Sequence, residues 1–180
     1  SYPIIYFGAI HGFLTSKLLK SFLKRCDQII AVSKKVAQIY KTNGIEVHQI
    51  IYNTFLHQTF RSAKKEDYIV FVGRLTKGKG VDILQQAYVK YSDKYRWPML
   101  NIIGNGPLNK TQNPKIKFLG QLDYQKTLEC FSKARLTIIP SVWEEPFGRT
   151  ALESLMLGTP VIVSNKGGLP EIVEKDLTGF

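Results

Sequence analysis

The sequence predicts an α/β fold, a parallel sheet with helices on both faces. Three observations carry this. Short apolar runs rich in β-branched residues recur from residue 68 to the end. Each run stops at Gly, Pro or Ser, and helical stretches with capping residues stand between the runs. Strand, glycine turn, helix and strand in repetition mark βαβ units and a parallel sheet.

Taken in order, Gln28–Val32 (QIIAV) reads as a short buried strand. Ser33 offers an N-cap for a helix over Lys34 to Thr42, which Asn43-Gly44 ends. Val47–Tyr52 is the next strand, and residues 53–67 are polar and irregular, as in a hinge. Tyr68–Val72 (YIVFV) is a strong strand, followed by a glycine-rich turn to Gly80 and a helix over Val81–Lys90. Met99–Ile103 and Lys115–Leu119 are strands, and Asp123 caps a helix reaching Ala134. Leu136–Pro140 is a strand, Phe147–Leu157 a helix stopped by Gly158, and Val161–Val163 a strand before Gly167-Gly168. The expected organisation is residues 1–52 as the end of one domain, 53–67 as a linker and 68–180 as a second, ligand-binding domain. Both termini read as cut, so a piece of a larger two-domain protein is expected.

Composition narrows the class. The chain of 180 residues has 44% hydrophobic residues, too many for a disordered chain. No apolar run approaches the ~20 residues of a membrane span. Cys26 and Cys130 lie far apart, which excludes a disulfide scaffold and a zinc ribbon and fits a reducing, cytoplasmic setting. The net charge of +11 is uneven: residues 1–65 carry 10 Lys/Arg against 2 Asp/Glu, residues 66–180 carry 15 against 12. A basic first third would face phosphates, nucleic acid or an anionic membrane, or be a solvated helix face. Aromatics lie in apolar runs rather than among basic residues, so a nucleic-acid partner is not expected. The stretch Lys17–Lys41 is a candidate for peripheral contact with an anionic inner membrane face.

In parallel α/β sheets ligands bind outside the carboxyl ends of the strands, and the notable motifs fall there. Gly73-Arg74-Leu75-Thr76-Lys77-Gly78-Lys79-Gly80 nearly matches a P-loop, but Gly80 replaces the Ser/Thr that holds Mg²⁺. A metal-independent diphosphate clamp fits better, with Arg74 and Lys79 as cations and helix-start N–H groups as donors; a plain basic turn is the alternative. Gly104-Asn105-Gly106-Pro107 permits close backbone approach to a ligand or simply turns the chain. The best signal is Pro140 to Glu153, PSVWEEPFGRTALE. Glu145 and Glu153 stand about two helical turns apart, on the order of 10 Å, and would grip hydroxyls at two ends of a sugar-bearing ligand. Phe147, Gly148 and Arg149, followed by Thr150, lie at a helix start, where a phosphate is favoured. Acidic residues favourable in a first turn would explain Glu144 and Glu145, but not Glu153.

Together these residues resemble the C-terminal half of a retaining glycosyltransferase of family 4, with the GT-B fold. The resemblance rests on FVGRLTKGKGVDIL, IIGNGP, IKFLG, PSVWEEPFGRTALESLMLGTPVIVS and GGLPEIV in the family's order, with DQIIAVS and Ile51-Tyr52-Asn53 before them. It implies a Rossmann-like C-terminal domain that binds a nucleotide-diphosphate sugar. The family's E-x7-E motif falls on Glu145 and Glu153. Glu153 would hold the ribose and Glu145 would lie near the transferred sugar, with backbone donors at Phe147 and Gly148. Arg74 and Lys79, beside Gly73, match the basic pair on the diphosphate. Phe118 and Leu119 would border the base, and Gly104, Asn105 and Gly106 would lie near the donor. His11 is the candidate for the histidine that lines the cleft in relatives. The implied reaction transfers a sugar from a nucleotide-diphosphate sugar, such as a UDP- or GDP-sugar, to a hydroxyl of a glycan, a lipid-linked molecule or a small molecule. Anomeric configuration is retained, and no cofactor or metal is expected. The rival readings are a P-loop-like nucleotide hydrolase and an inactive glycosyltransferase-like binding protein.

Overall fold

A computed structural model describes residues 18–54, 63–108 and 113–180. His11, His57, Lys17 and Asn109 lie outside the described residues. The chain divides into two compact units between Tyr52 and Asn53.

In the first unit residues 18–23 are helical (α1). Strands β1 (Ile30–Ala31) and β2 (Gln49–Ile50) pair in parallel on either side of helix α2 (Lys34–Thr42). The strands are shorter than the apolar runs suggest, because pairing covers only Ile30↔Gln49 and Ala31↔Ile50. Ser33 caps α2 by accepting from the Val36 N–H at 3.1 Å. His48 is structural: its Nδ1 accepts the Ile29 N–H at 3.1 Å, extending the strand pair.

The second unit is a five-stranded, all-parallel sheet in the order β5-β4-β3-β6-β7. Its strands are β3 (Tyr68–Val72), β4 (Met99–Ile103), β5 (Ile116–Gly120), β6 (Leu136–Ile139) and β7 (Val161–Val163). Helices α3 (Val81–Tyr91), α4 (Tyr124–Lys133) and α5 (Arg149–Met156) connect them. The α/β fold with a parallel sheet is as the sequence predicts.

Alternation along β3 explains the two cores. Ile69 and Phe71 point to one face, where they meet Leu84 and Tyr88 of α3. Tyr68 and Val70 point to the other, against Leu128 and Phe131 of α4. Burial of one such aromatic or aliphatic side chain contributes about 1.5–3 kcal/mol. Asp123 caps α4 through the Lys126 N–H at 2.8 Å, and Gly158 follows the end of α5 in a left-handed turn. Lys65, within the stretch read as a hinge, donates from Nζ to the Ser132 carbonyl at 2.9 Å and to Thr159 Oγ1. Thr159 in turn donates to the Phe131 carbonyl at 2.6 Å. That network ties the approach to β3 onto the carboxyl end of α4.

Candidate functional site

Strand order reverses at β3, whose neighbours are β4 on one side and β6 on the other. The loops that leave β3 and β6 therefore diverge to opposite faces and leave a crevice at their carboxyl ends. A cleft of about 350 Å³ lies there. Its walls include Val72, Lys79, Ser141, Trp143, Glu145, Phe147, Gly148, Arg149 and Thr150, with Asn53 at its margin.

The β3 turn is built around a single 3₁₀ turn, Lys77–Lys79, which docks on the β6 loop. The Gly78 carbonyl accepts from the N–H groups of Val142 and Trp143 at 2.9 and 3.3 Å. Gly80 adopts φ +68°, and a Cβ there would collide with the Pro140 carbonyl. The residue that departs from a P-loop is thus glycine for a steric reason: a Ser or Thr side chain has no room beside β6.

This docking brings Lys79 Nζ to 2.6 Å from Glu145 Oε1. The Ser141 hydroxyl donates to the same oxygen at 2.5 Å, and the Lys79 ammonium lies 5.0 Å from the Trp143 ring centre. Glu145 is nearly buried at 8% exposure, which taken alone would raise its pKa. Hydrogen bonds from Lys79, Ser141 and Trp143 and the lysine charge outweigh that burial and hold it below the ordinary glutamate range. It is therefore ionised at neutral pH.

The Glu145 loop is fixed from behind. The Glu144 carboxylate accepts the Gly167 N–H at 2.6 Å, and the Glu145 carbonyl accepts the Gly168 N–H at 2.7 Å. Ser164 Oγ donates to the Ser141 carbonyl at 2.6 Å. The GGLPE turn thus acts as the back plate of the loop, a role its sequence does not announce.

Helix α5 starts later than the sequence suggests. Its first residue is Arg149, and Gly148 precedes it at φ +107°, a conformation side chains rarely adopt, with the Leu169 side chain packed against it. The first-turn N–H groups of α5 thus begin at Arg149 and Thr150, and Phe147 lies outside the helix with its ring buried. Glu153 sits one turn on, half-buried, with Arg149 Nη2 3.7 Å from its carboxylate. Burial raises the Glu153 pKa, opposed by Arg149. The two carboxylates of the pair are thus pushed in opposite directions.

Glu153 does not line the cleft, and the remaining sequence candidates fall elsewhere. Arg74 is exposed, and neither it nor Gly73 lines the cleft. Gly104, Asn105 and Gly106 form a turn zipped to residues 73–75: Leu75 N–H donates to the Asn105 carbonyl at 2.9 Å, and Leu108 N–H donates to the Leu75 carbonyl at 3.1 Å. Phe118 and Leu119 pack at the margins of the two cores. Sequence reasoning missed Ser141; its only signal was a small hydroxyl residue directly after a strand-ending proline.

An α/β domain that gathers a cation, a paired carboxylate and a helix amino end at its topological switch point has the layout of a ligand-binding domain. The profile of the family Glycosyl transferases group 1 matches residues 53–180, and the chain belongs to that family. It is 31% identical over 181 residues to the uncharacterized glycosyltransferase MJ1607 of Methanocaldococcus jannaschii, covering 85% of this chain and 46% of that protein. It is 29% identical over 161 residues to the O-antigen chain mannosyltransferase RfbU of Salmonella typhimurium, covering 82% of this chain and 45% of that one. The chain thus spans less than half the length of these relatives. Among solved structures, the Anabaena protein Alr3699/HepE in complex with UDP and glucose superposes with a TM-score of 0.78 at 21% identity, covering 91% of this chain and 51% of that one. Such neighbours establish the fold as one half of a GT-B architecture.

Proposed function

We propose that this chain forms the donor-binding half of a retaining glycosyltransferase of family 4. It would take a sugar from a nucleoside diphosphate sugar and pass it to an acceptor hydroxyl. The carrying observation is the convergence of Lys79, Glu145 and the first turn of α5 on one cleft at the switch point. The UDP held by the Anabaena neighbour supports a nucleotide-sugar donor.

In this reading the bond from the anomeric carbon to the diphosphate oxygen breaks, the acceptor oxygen bonds to that carbon on the same face, and the hydroxyl proton leaves with the diphosphate. Negative charge develops on the diphosphate. An ammonium has three donors; Glu145 takes one from Lys79, leaving the others for phosphate oxygens. Because Glu145 partly neutralises Lys79, Arg74 and the N–H groups of Arg149 and Thr150 complete the positive field, without a metal. Glu145 then faces the sugar, and Glu153 takes the ribose hydroxyls.

The test is calorimetry of UDP, GDP and ADP and their nucleosides in EDTA, alongside ATP and GTP with Mg²⁺. One diphosphate binds, and Lys79→Ala weakens it on the order of 10²-fold while leaving the nucleoside unchanged. Equal losses for diphosphate and nucleoside would remove Lys79 from the phosphate role. Binding only of a triphosphate with Mg²⁺ would return the hydrolase reading.

A further inference from the structure

A second concentration of chemistry lies at the opposite end of the sheet. Helix α3 ends at Tyr91 and β4 begins at Met99, so residues 89–99 lie at the amino ends of the strands, away from the donor cleft. The segment holds Tyr91, Tyr95 and Trp97 among Lys90, Lys94 and Arg96. Its one acid, Asp93, is already taken by Lys115 at 2.7 Å.

The segment is rigidly mounted. Trp97 lies 5.9 Å from the fully buried Tyr88 ring, and the Tyr88 hydroxyl donates to the Pro98 carbonyl at 2.5 Å. Trp97 N–H donates to the Ser92 carbonyl at 2.8 Å, and Arg96 turns the chain at φ +51°. Onto this base the rings of Tyr91 and Tyr95 pack within 6.2 Å of each other. Tyr95, Val89 and Met99 are exposed.

A sugar-stacking platform needs open ring faces. Here Lys94 lies 5.2 Å over Tyr95, Lys90 lies 5.1 Å over Tyr91, and Trp97 stacks on Tyr95 at 6.5 Å. Each of these rings thus has a cation or another ring as its neighbour. The segment thus exposes apolar and aromatic side chains, Val89, Tyr95 and Met99, among the exposed cations Lys90, Lys94 and Arg96, a composition that suits an interface apolar on one side and anionic at the surface.

We propose that residues 89–99 dock this unit on an anionic lipid surface, with Tyr95 and Met99 entering the headgroup layer and Lys90, Lys94 and Arg96 meeting lipid phosphates. This site is separate from the basic stretch of the first unit and does not rest on the donor reading.

The experiment is co-sedimentation of the chain with phosphatidylcholine vesicles, with and without phosphatidylglycerol, at low and high salt. The chain should partition onto the anionic vesicles alone and leave them at high salt. The triple variant Lys90→Glu, Lys94→Glu, Arg96→Glu should lose partitioning on the order of a hundredfold, since each cation near the surface is worth about fivefold. Tyr95→Ser with Met99→Ser should lose about tenfold while keeping the salt dependence. Circular dichroism confirms that each variant is folded. The proposal is overturned if the chain ignores anionic vesicles, or if it binds a soluble polysaccharide in their place. It is also overturned if reversal of Lys20, Lys24 and Arg25 abolishes partitioning while the triple variant keeps it.

Discussion

Two pairs of adjacent strand ends behave differently. At β3 and β6 the turns face each other across the reversal of strand order, and side chains from both enter one cleft. At β4 and β5 the neighbouring turns close on one another through main-chain bonds, with Gly104 N–H donating to the Gly120 carbonyl at 2.8 Å. The difference teaches that a glycine turn at a strand end is not in itself a site. The connections on either side of β3 leave to opposite faces, so only there is space left for a ligand.

The sharpest way to break this comparison is at Gly80. Gly80→Ser restores a P-loop residue but drives a side chain into the Pro140 carbonyl at a left-handed position. It should cost about 3 kcal/mol or more, a fall in Tm of roughly 6–12 °C. Gly78→Ser, where a Cβ meets nothing, should stay within about 0.5 kcal/mol. Equal effects in thermal unfolding would mean that the β3 turn does not dock on β6.

A smaller effect tests the paired charges. The folded Glu145 carboxyl titrates below its unfolded value, so the unfolded chain binds this proton first. The stability it contributes is present above the ordinary glutamate range and is lost as pH falls through the folded value. Lys79→Ala should lower stability by about 2 kcal/mol at neutral pH, since a hydrogen bond to a charged group is lost and a mostly buried carboxylate is left behind. The same variant should flatten the acid limb. Denaturant unfolding across a pH series measures both, and parallel curves for the two proteins would show that Lys79 does not hold Glu145 ionised.

The smallest effect belongs to the closed turn. Asn105 Nδ2 donates to Gln121 Oε1 at 3.2 Å on the surface. Asn105→Ala should change stability by less than about 0.5 kcal/mol and leave nucleotide affinity unchanged. A large loss of affinity in calorimetry would bring the β4 turn back into the donor site.

Much of the fold was legible because its causes are local. Tyr68–Val72 and Met99–Ile103 are apolar enough to demand burial on both faces, and they form the strands read from them. Ser33 and Asp123 start their helices through hydrogen bonds spanning three residues. The site was legible in part, because Lys79, Glu145, Gly148, Arg149 and Thr150 sit at strand ends where charge and glycine cluster. Arg74 and Asn105 cluster in the same way, yet neither lines the cleft.

By itself, then, the sequence determined the element types, the parallel class of the sheet and the family, since these follow from hydrophobic period, caps and motif order over short distances. The tertiary structure alone decided that β3 stands between β4 and β6, and that Lys79 meets a carboxylate 66 residues away. It also decided that α5 begins only at Arg149. Such outcomes depend on which groups approach closely, as Gly80 does the Pro140 carbonyl and Gly148 the Leu169 side chain, and that proximity is a property of the packed chain.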